Sequence, residues 1–152
     1  MSGPLTGVRV VELAHVMAGP VCGLMLADMG ADVIKVEKPE GDDSRRMVPP
    51  TVNGESAAYM MMNRNKRGVA LDLKDPRGRD ALEKLIASAD ILIENFRLGT
   101  MEKLGLGPER LREINPRLVS VEISGFGRTG PYAQRGGFDL IAQGMSGLMS
   151  IT

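Results

Sequence analysis

The only histidine of this sequence, His15, lies where a ligand could be bound. It follows the apolar segment 8–13 and precedes Ala18-Gly-Pro20, which places it in a turn between a strand and a helix. A lone histidine is more often structural than functional. Its position nevertheless favours a functional role, because ligands of open α/β sheets bind outside the carboxyl ends of the strands. The turn around His15 is therefore a candidate ligand-binding site at the edge of the sheet, although its residues do not identify a cofactor.

Basic residues form a second candidate group, concentrated at Lys35, Lys38, Arg45, Arg46, Arg64, Lys66, Arg67 and Lys74. Each one taken singly is best interpreted as solvated surface. As a set, however, they border the predicted carboxyl edge of the second and third strands. Phosphate groups are bound by several such cations together with free backbone N–H groups at helix starts. The set therefore favours a polyanionic ligand without identifying it.

The segment Gly125-Phe-Gly-Arg-Thr-Gly130 matches the pattern G-x-G-x-x-G and follows a predicted strand. A dinucleotide site also requires a helix that begins at the motif and an acidic residue about 20 positions later. Here Pro131 follows at once, and no acidic residue lies near position 150. We therefore interpret the motif as a glycine-rich surface turn, and a dehydrogenase is the weakest of the functions considered.

Composition excludes several classes of protein. Lys plus Arg equals Asp plus Glu at 19 each, whereas a general nucleic-acid or anionic-membrane binder would carry a large positive excess. The single cysteine, Cys22, excludes a disulfide framework and a cysteine-based zinc site, and it is interpreted as a small buried side chain. No metal site is predicted.

The longest apolar run, 16–27, is too short to span a bilayer, and no secretory signal is visible. A cytoplasmic location is therefore expected.

The candidate residues lie between short strands and helices that alternate along the chain. Strands are predicted at 8–13, 32–36, 69–72, 91–94 and 118–123, and helices at 21–29, 76–88, 101–104, 108–114 and 138–149. This alternation predicts an α/β fold with a parallel sheet and helices on both faces. The polar segment 38–53 is predicted to be a long loop, and Met60-Met-Met62 to fill the core or line an acyl pocket.

The end of the sequence is apolar and helical in pattern, with Leu140, Ile141, Met145, Leu148 and Met149 on one face. Because a domain seldom stops inside a buried helix, we expect the chain to be a fragment of a longer protein.

Several blocks, in order and spacing, resemble the family III CoA-transferases. The opening blocks are Pro4-Leu-Thr-Gly-Val-Arg-Val-Val-Glu-Leu13, Ala18-Gly-Pro20 and Leu26-Ala-Asp-Met-Gly-Ala-Asp-Val-Ile-Lys-Val-Glu37. The later blocks are Asn63-Arg-Asn-Lys-Arg67, Leu71-Asp-Leu-Lys74, Asp90-Ile-Leu-Ile-Glu-Asn-Phe-Arg97, Leu104-Gly105, Ser124-Gly-Phe-Gly-Arg-Thr-Gly-Pro131 and Phe138-Asp-Leu-Ile-Ala-Gln-Gly-Met-Ser-Gly147. The resemblance extends over the whole chain and is far more specific than any single motif.

The resemblance implies a Rossmann-like parallel sheet with helices on both faces. Residues 1–152 would be the N-terminal CoA-binding part of the large domain, without the small domain or the C-terminal segment that completes the large domain. In this family CoA lies at the carboxyl edge of that sheet. The matching positions expected to line CoA are His15, Val16, Met17, Ala18, Lys38, Leu71, Asp72, Leu73, Lys74, Asn95, Phe96, Arg97 and Lys103. Lys38 and Lys103 stand where formyl-CoA transferase has arginine, which keeps the charge but not a bidentate grip on phosphate.

The resemblance also implies an enzyme that moves CoA between carboxylic acids through an acyl anhydride on an aspartate. That nucleophile is expected beyond Thr152, so no catalytic residue is predicted within the chain, and the chain alone is expected to be inactive. The implied substrates are an acyl-CoA and a carboxylic acid, with no permanently bound cofactor. The full-length protein is expected to form an interlocked homodimer. Asp139 is expected to be structural or to support the site indirectly.

Two alternatives remain open. The α-methylacyl-CoA racemases of the family carry Gly-His-Asp where this chain has Gly137-Phe138-Asp139, and without that histidine a proton carrier is missing, which disfavours racemisation. A non-catalytic CoA- or nucleotide-binding module is the second alternative. The donor and acceptor acids are not specified by these residues.

Overall fold

The elements that position the candidate residues form an open α/β sheet with helices on both faces. The computed structural model describes residues 3–152. In chain order its elements are β1 (Arg9–Glu12), α1 (Ala18–Asp28), β2 (Asp32–Glu37), a 3-10 turn (Asp43–Arg46), β3 (Thr51–Val52), β4 (Glu55–Ser56), α2 (Ala57–Asn63), β5 (Arg67–Ala70), α3 (Pro76–Ala87), β6 (Ile91–Glu94), α4 (Thr100–Lys103), α5 (Pro108–Ile114), β7 (Val119–Glu122), α6 (Asp139–Ser146) and a second 3-10 turn (Leu148–Ser150).

Five of the strands form one parallel sheet in the order β5-β2-β1-β6-β7, and β3 and β4 form a small antiparallel hairpin. From β1 the chain moves outward through β2 to β5, then returns past β1 to β6 and β7. The crossovers next to β1 therefore run in opposite directions. In open α/β sheets this reversal of strand order leaves a crevice at the carboxyl ends of the strands. The predicted Rossmann-like parallel sheet is confirmed.

The core lies on both faces of the sheet, because successive residues of a strand point to opposite faces. On one face Val11 and Leu92 pack with Leu82 and Ile86 of α3. On the other face Val10, Val33 and Ile93 pack with α1 through Ala27. Central strands that are buried on both sides are held rigidly, so the turns that follow them are well placed to carry a site.

Several predicted boundaries were wrong by a few residues. Helix α1 begins at Ala18 rather than at position 21 and includes Pro20 in its first turn, where the missing N–H of proline costs nothing. Strand β5 spans Arg67–Ala70, so Leu71 and Asp72, predicted as strand, lie in the turn that follows. The segment 38–53 is not a continuous loop, since it contains a 3-10 turn and β3.

Helix α2 and the β3–β4 hairpin were not predicted. The Ser56 side chain begins α2 by accepting a hydrogen bond from the Tyr59 N–H at 3.2 Å. Of the three methionines interpreted as core, only Met62 is buried, whereas Met60 and Met61 are exposed.

The predicted helix at 138–149 is interrupted. Helix α6 ends at Ser146, because Gly147 adopts a left-handed conformation with φ 80°. The five residues predicted to form an apolar face, Leu140, Ile141, Met145, Leu148 and Met149, are all exposed, and the last two lie in the second 3-10 turn rather than in α6. Within residues 3–152, no helix combines the length and apolar character needed to cross a membrane.

Candidate ligand-binding edge of the sheet

Among the clefts at the carboxyl edge of the sheet, two of similar size adjoin each other, and Phe96 lines both of them. The first, here the β2 cleft, has a volume of about 290 Å³ and is lined by Leu13, His15, Val36, Glu37, Lys38, Pro39, Glu40, Leu71, Asp72, Leu73, Lys74, Phe96 and Leu104. The second, here the β7 cleft, has a volume of about 300 Å³ and is lined by Ala18, Asn95, Phe96, Arg97, Leu98, Ile123, Ser124, Gly125, Ala133, Gln134, Arg135, Gly136, Gly137 and Phe138.

Most residues expected to line CoA meet at these two clefts. The β2 cleft brings together His15, Lys38, Leu71, Asp72, Leu73, Lys74 and Phe96, and the β7 cleft brings together Ala18, Asn95, Phe96 and Arg97. Val16 and Met17 lie in the turn between His15 and Ala18 but line neither cleft. Lys103, the last residue of α4, also lies outside both linings.

The backbone of His15 is clamped by Asn95, which follows β6. The His15 N–H donates to Asn95 Oδ1 at 2.8 Å, and Asn95 Nδ2 donates to the His15 carbonyl oxygen at 2.9 Å. The His15 ring lies 5.0 Å from the Phe96 ring, centroid to centroid. Burial lowers the pKa of His15 below its usual 6.5, although Asp42 opposes this shift. The imidazole is therefore neutral at pH 7 and can donate or accept a hydrogen bond.

A buried cluster of ions lies beneath this turn. Lys35 Nζ is 3.0 Å from Glu12 Oε1 and 2.9 Å from Asp42 Oδ2, and Lys66 Nζ is 2.8 Å from Glu12 Oε2. All four side chains are at most 2% exposed. The expectation that Lys35 and Lys66 belong to a ligand-facing basic set is therefore wrong, because both ammonium groups are enclosed by protein carboxylates.

Most of the other basic residues of the predicted set are also paired with carboxylates. Arg64 pairs with Asp28, and Arg67 pairs with Asp32 at the start of β2, away from the carboxyl edge. Arg46 lies 3.9 Å from Asp43. Only Lys38 and Lys74 of the set line the β2 cleft.

Glu37, the last residue of β2, is bound by side chains of the segments that follow this strand. It accepts hydrogen bonds from Arg45 Nε at 2.8 Å and from the Tyr59 hydroxyl at 2.6 Å, and the Arg45 guanidinium stacks on the Tyr59 ring. Burial alone would raise the pKa of Glu37, but these hydrogen bonds lower it to about 2. The carboxylate is therefore ionised and already neutralised by protein partners.

Charge differs between the two clefts. In the β2 cleft Lys38 pairs with Asp43 at 2.8 Å, and the carboxylates of Glu40 and Asp72 are also present. The β7 cleft is lined by Arg97 and Arg135 and by no carboxylate among the residues that the structure describes. Both clefts can receive an anion, but in the β2 cleft an anion must compete with Asp43 for Lys38.

The glycine-rich motif is a turn, as interpreted, and no helix begins at it. Its Arg128 side chain reaches Glu94 at 3.7 Å and Glu102 at 3.4 Å, and also pairs with Glu122. Gly125 packs directly on Gly137, since a Cβ on Gly125 would lie 2.3 Å from Gly137 Cα. The sequence analysis missed that this contact brings the segment 133–138 into the wall of the β7 cleft. In the sequence, these two glycines were the only indication that the two segments lie in contact.

Comparison with known proteins decides the family. The family model described as "CoA-transferase family III" matches residues 5–152. The chain belongs to this family. It is 54% identical to succinate–glutarate CoA-transferase of Agrobacterium fabrum, over 98% of this chain and 39% of that protein. It is 47% identical to succinyl-CoA:glutarate CoA-transferase of Mus musculus, over 98% of this chain and 34% of that protein.

A solved structure of a CaiB/BaiF family protein from Brucella suis superposes with a TM-score of 0.95 and 49% identity, covering 100% of this chain and 41% of that one. The family III chain described here therefore spans about two fifths, or less, of the length of these relatives.

Proposed function

We propose that this chain supplies the CoA-binding part of an enzyme that transfers CoA from an acyl-CoA to a carboxylic acid. The observation that carries the proposal is the pair of clefts joined at Phe96, which gathers most of the positions expected to line CoA at one edge of the sheet. Family membership supports the transfer of CoA, and the relatives' names support acids of the succinate and glutarate type.

The chain's own residues would hold the CoA. Lys38 and Lys74 would bind phosphate at the β2 cleft, and Leu71, Leu73 and Phe96 offer apolar contacts beside them. The clamped turn from His15 to Ala18 would meet the ligand where the two clefts adjoin. Arg97 supplies a cation on the β7 side. CoA is a substrate in this proposal, and no permanently bound cofactor is required.

The reaction explains why CoA must be held firmly. An aspartate outside this chain would attack the thioester carbonyl, which forms an acyl anhydride and releases the CoA thiolate. The thiolate would then attack the aspartyl carbonyl of the anhydride, which releases the donor acid and leaves an aspartyl thioester. The acceptor carboxylate would displace CoA from that thioester as a second anhydride, and the thiolate would attack the acceptor's carbonyl, which gives the new thioester and frees the aspartate. If CoA left the enzyme between these events, the energy of the thioester would be lost to hydrolysis. A binding part that keeps CoA bound between these steps would prevent that loss.

The test uses the full-length protein with succinyl-CoA as donor and glutarate as acceptor, and mass spectrometry of the CoA esters measures the transfer. Glutaryl-CoA formation together with CoA binding in calorimetry would support the proposal. CoA binding without transfer to any of a panel of acids would favour the non-catalytic module. Failure to bind CoA would contradict both.

The racemase alternative is tested separately. Phe138 occupies the position of the racemase histidine and lines the β7 cleft, and the one histidine of the chain, His15, lines the β2 cleft instead. A 2-methylacyl-CoA incubated with the protein in D₂O should therefore retain its α-proton. Rapid exchange would restore the racemase hypothesis.

A further inference from the structure

The turn that joins the two clefts contains a residue in a costly conformation. Val16 has φ 65°, in the left-handed region, where a β-branched residue is a genuine outlier. Such conformations persist only where the surroundings fix them, and they are concentrated at ligand sites and switch regions. Val16 lies between His15, which lines the β2 cleft, and Ala18, which lines the β7 cleft. Its conformation therefore sets how the turn faces both clefts.

The buried ions fix the backbone on either side of Val16. The Val16 N–H donates to Asp42, with its nitrogen 3.2 and 3.3 Å from the two carboxylate oxygens. Lys35 Nζ donates to the Ala14 carbonyl oxygen at 2.9 Å, and Lys66 Nζ donates to the Pro20 carbonyl oxygen at 2.8 Å. Three backbone groups of the turn and of the helix start are thus held by three side chains from other elements.

Asp42 is the member of this cluster that accepts the hydrogen bond of the Val16 N–H. It is 1% exposed and lines neither cleft. Its own position is fixed by Lys35 at 2.9 Å and by the Ser44 N–H and hydroxyl, at 2.8 and 2.7 Å. The cluster holds two carboxylates, of Glu12 and Asp42, and two ammonium groups, so its charges balance without a ligand.

We infer that Asp42 is a positioning residue for CoA: through Val16 and Lys35 it holds the first βα turn in the shape that joins the two clefts. The inference rests on the proposed function, since it concerns the affinity of the proposed CoA site. Asp42 itself would not contact CoA. It would act through the backbone of the first βα turn, which meets the ligand.

Two variants separate positioning from stability. Asp42→Ala removes the contact with Val16 and leaves Lys35 with an unbalanced buried charge, which is strongly destabilising. Asp42→Ala combined with Lys35→Met removes both charges and leaves the Glu12–Lys66 pair balanced. We expect the double variant to regain most of the lost melting temperature, while Val16 remains without its carboxylate partner.

A matched control lies at the opposite edge of the sheet. Asn115 Nδ2 donates to the carbonyl oxygens of Ile86 and Ala89, at 3.1 and 2.7 Å, before β6 begins. Asn115→Ala also removes a side chain that holds backbone carbonyl groups, but far from the clefts. It should lower the melting temperature without changing CoA affinity.

The measurement is the dissociation constant of CoA in calorimetry with the full-length protein, beside the melting temperature of each variant. We expect the constant to rise about tenfold or more in both Asp42 variants. An unchanged constant in the double variant, or a rise of equal size in Asn115→Ala, would overturn the inference while leaving CoA binding established. Absence of CoA binding by the unaltered protein would instead overturn the proposed function and this inference with it.

Discussion

Lys38 and Lys74 approach the β2 cleft from two different turns, which makes them the proposed phosphate contacts. Each charge-assisted contact with a phosphate contributes about 1.5–3 kcal/mol, equivalent to tenfold or more in affinity. Lys38→Ala or Lys74→Ala should therefore raise the KM for the CoA thioester with a smaller change in kcat, as expected when binding common to the ground and transition states is lost. Pantetheine thioesters, which lack the nucleotide phosphates, should be nearly indifferent to both substitutions. Wild-type affinity in both variants at low salt would contradict the assignment.

A substitution of Asp43 should strengthen CoA binding, whereas the lysine substitutions should weaken it. It pairs with Lys38 at 2.8 Å, and both side chains are largely exposed. A phosphate must displace this carboxylate, so Asp43→Asn should lower the dissociation constant of CoA by about twofold to fivefold, the range for an exposed pair. The gain should shrink as salt is added, because exposed charges are screened. Glu109→Gln, an exposed acid outside both clefts, is the control; weaker binding by Asp43→Asn would show that Lys38 needs Asp43 to hold it in place.

The lowered pKa of Glu37 makes the stability of the folded protein depend on pH in the acidic range. Its pKa is about 2 in the folded protein and near 4.3 in an unfolded chain. A carboxyl whose folded pKa is lowered contributes stability that is present above its unfolded pKa and is lost as the pH falls through its folded pKa. Glu37→Gln should therefore reduce the free energy of unfolding by up to about 3 kcal/mol at pH 7. The gap to wild type should close between about pH 5 and pH 2 in urea titrations, and a gap that stays constant over this range would contradict the prediction.

At the scale of elements, helix α1 can approach the sheet only because Gly23 has no side chain. A Cβ at this position would lie 1.9 Å from Glu12 Oε2, the atom that pairs with Lys66. Gly23→Ala should improve helix propensity by about 1 kcal/mol but displace a buried carboxylate, which costs more. The net loss should be about 1–3 kcal/mol in thermal or urea unfolding.

Helix α6 supplies the matched comparison for that substitution. A Cβ on Gly144 would meet only the Met149 Sδ, at 3.8 Å. Gly144→Ala should therefore be neutral or stabilising by up to about 1 kcal/mol. Equal effects of the two substitutions would show that propensity alone matters and that α1 is not pressed against Glu12.

The elements also show where prediction from the sequence succeeds. β6 and α5 have the predicted bounds, because strong apolar patterns and Pro108 mark them. α2 escaped prediction, since a run of methionines in seven residues has no clear period. The buried roles of Lys35 and Lys66 could not be read from the sequence either. Both depend on carboxylates from other elements, and β2, buried on both faces, lacks the alternation that would single out a lysine.

At the scale of the whole molecule, the described residues leave two kinds of surface uncovered. β7 is an edge strand, with only β6 beside it among residues 3–152. The apolar face of α6 is also exposed. Both features agree with a chain that spans about two fifths of its relatives' length. We propose that further chain or a second subunit covers them in the full-length protein, in keeping with the interlocked homodimer expected for the family.

The α6 face gives the last prediction. Its five apolar side chains are between 43% and 69% exposed, and Phe138 beside them is 65% exposed. Contiguous apolar surface of this kind is rarely left open, so the 152-residue polypeptide alone should self-associate at tens of micromolar. Leu140→Lys with Met145→Lys should reduce that association, because both residues face solvent and their loss removes no core contact. Sedimentation velocity measures the effect, with Met60→Lys, an exposed methionine on α2, as the control for added charge. A well-behaved monomer of the unaltered polypeptide, or equal relief by Met60→Lys, would show that this face is not a site of association.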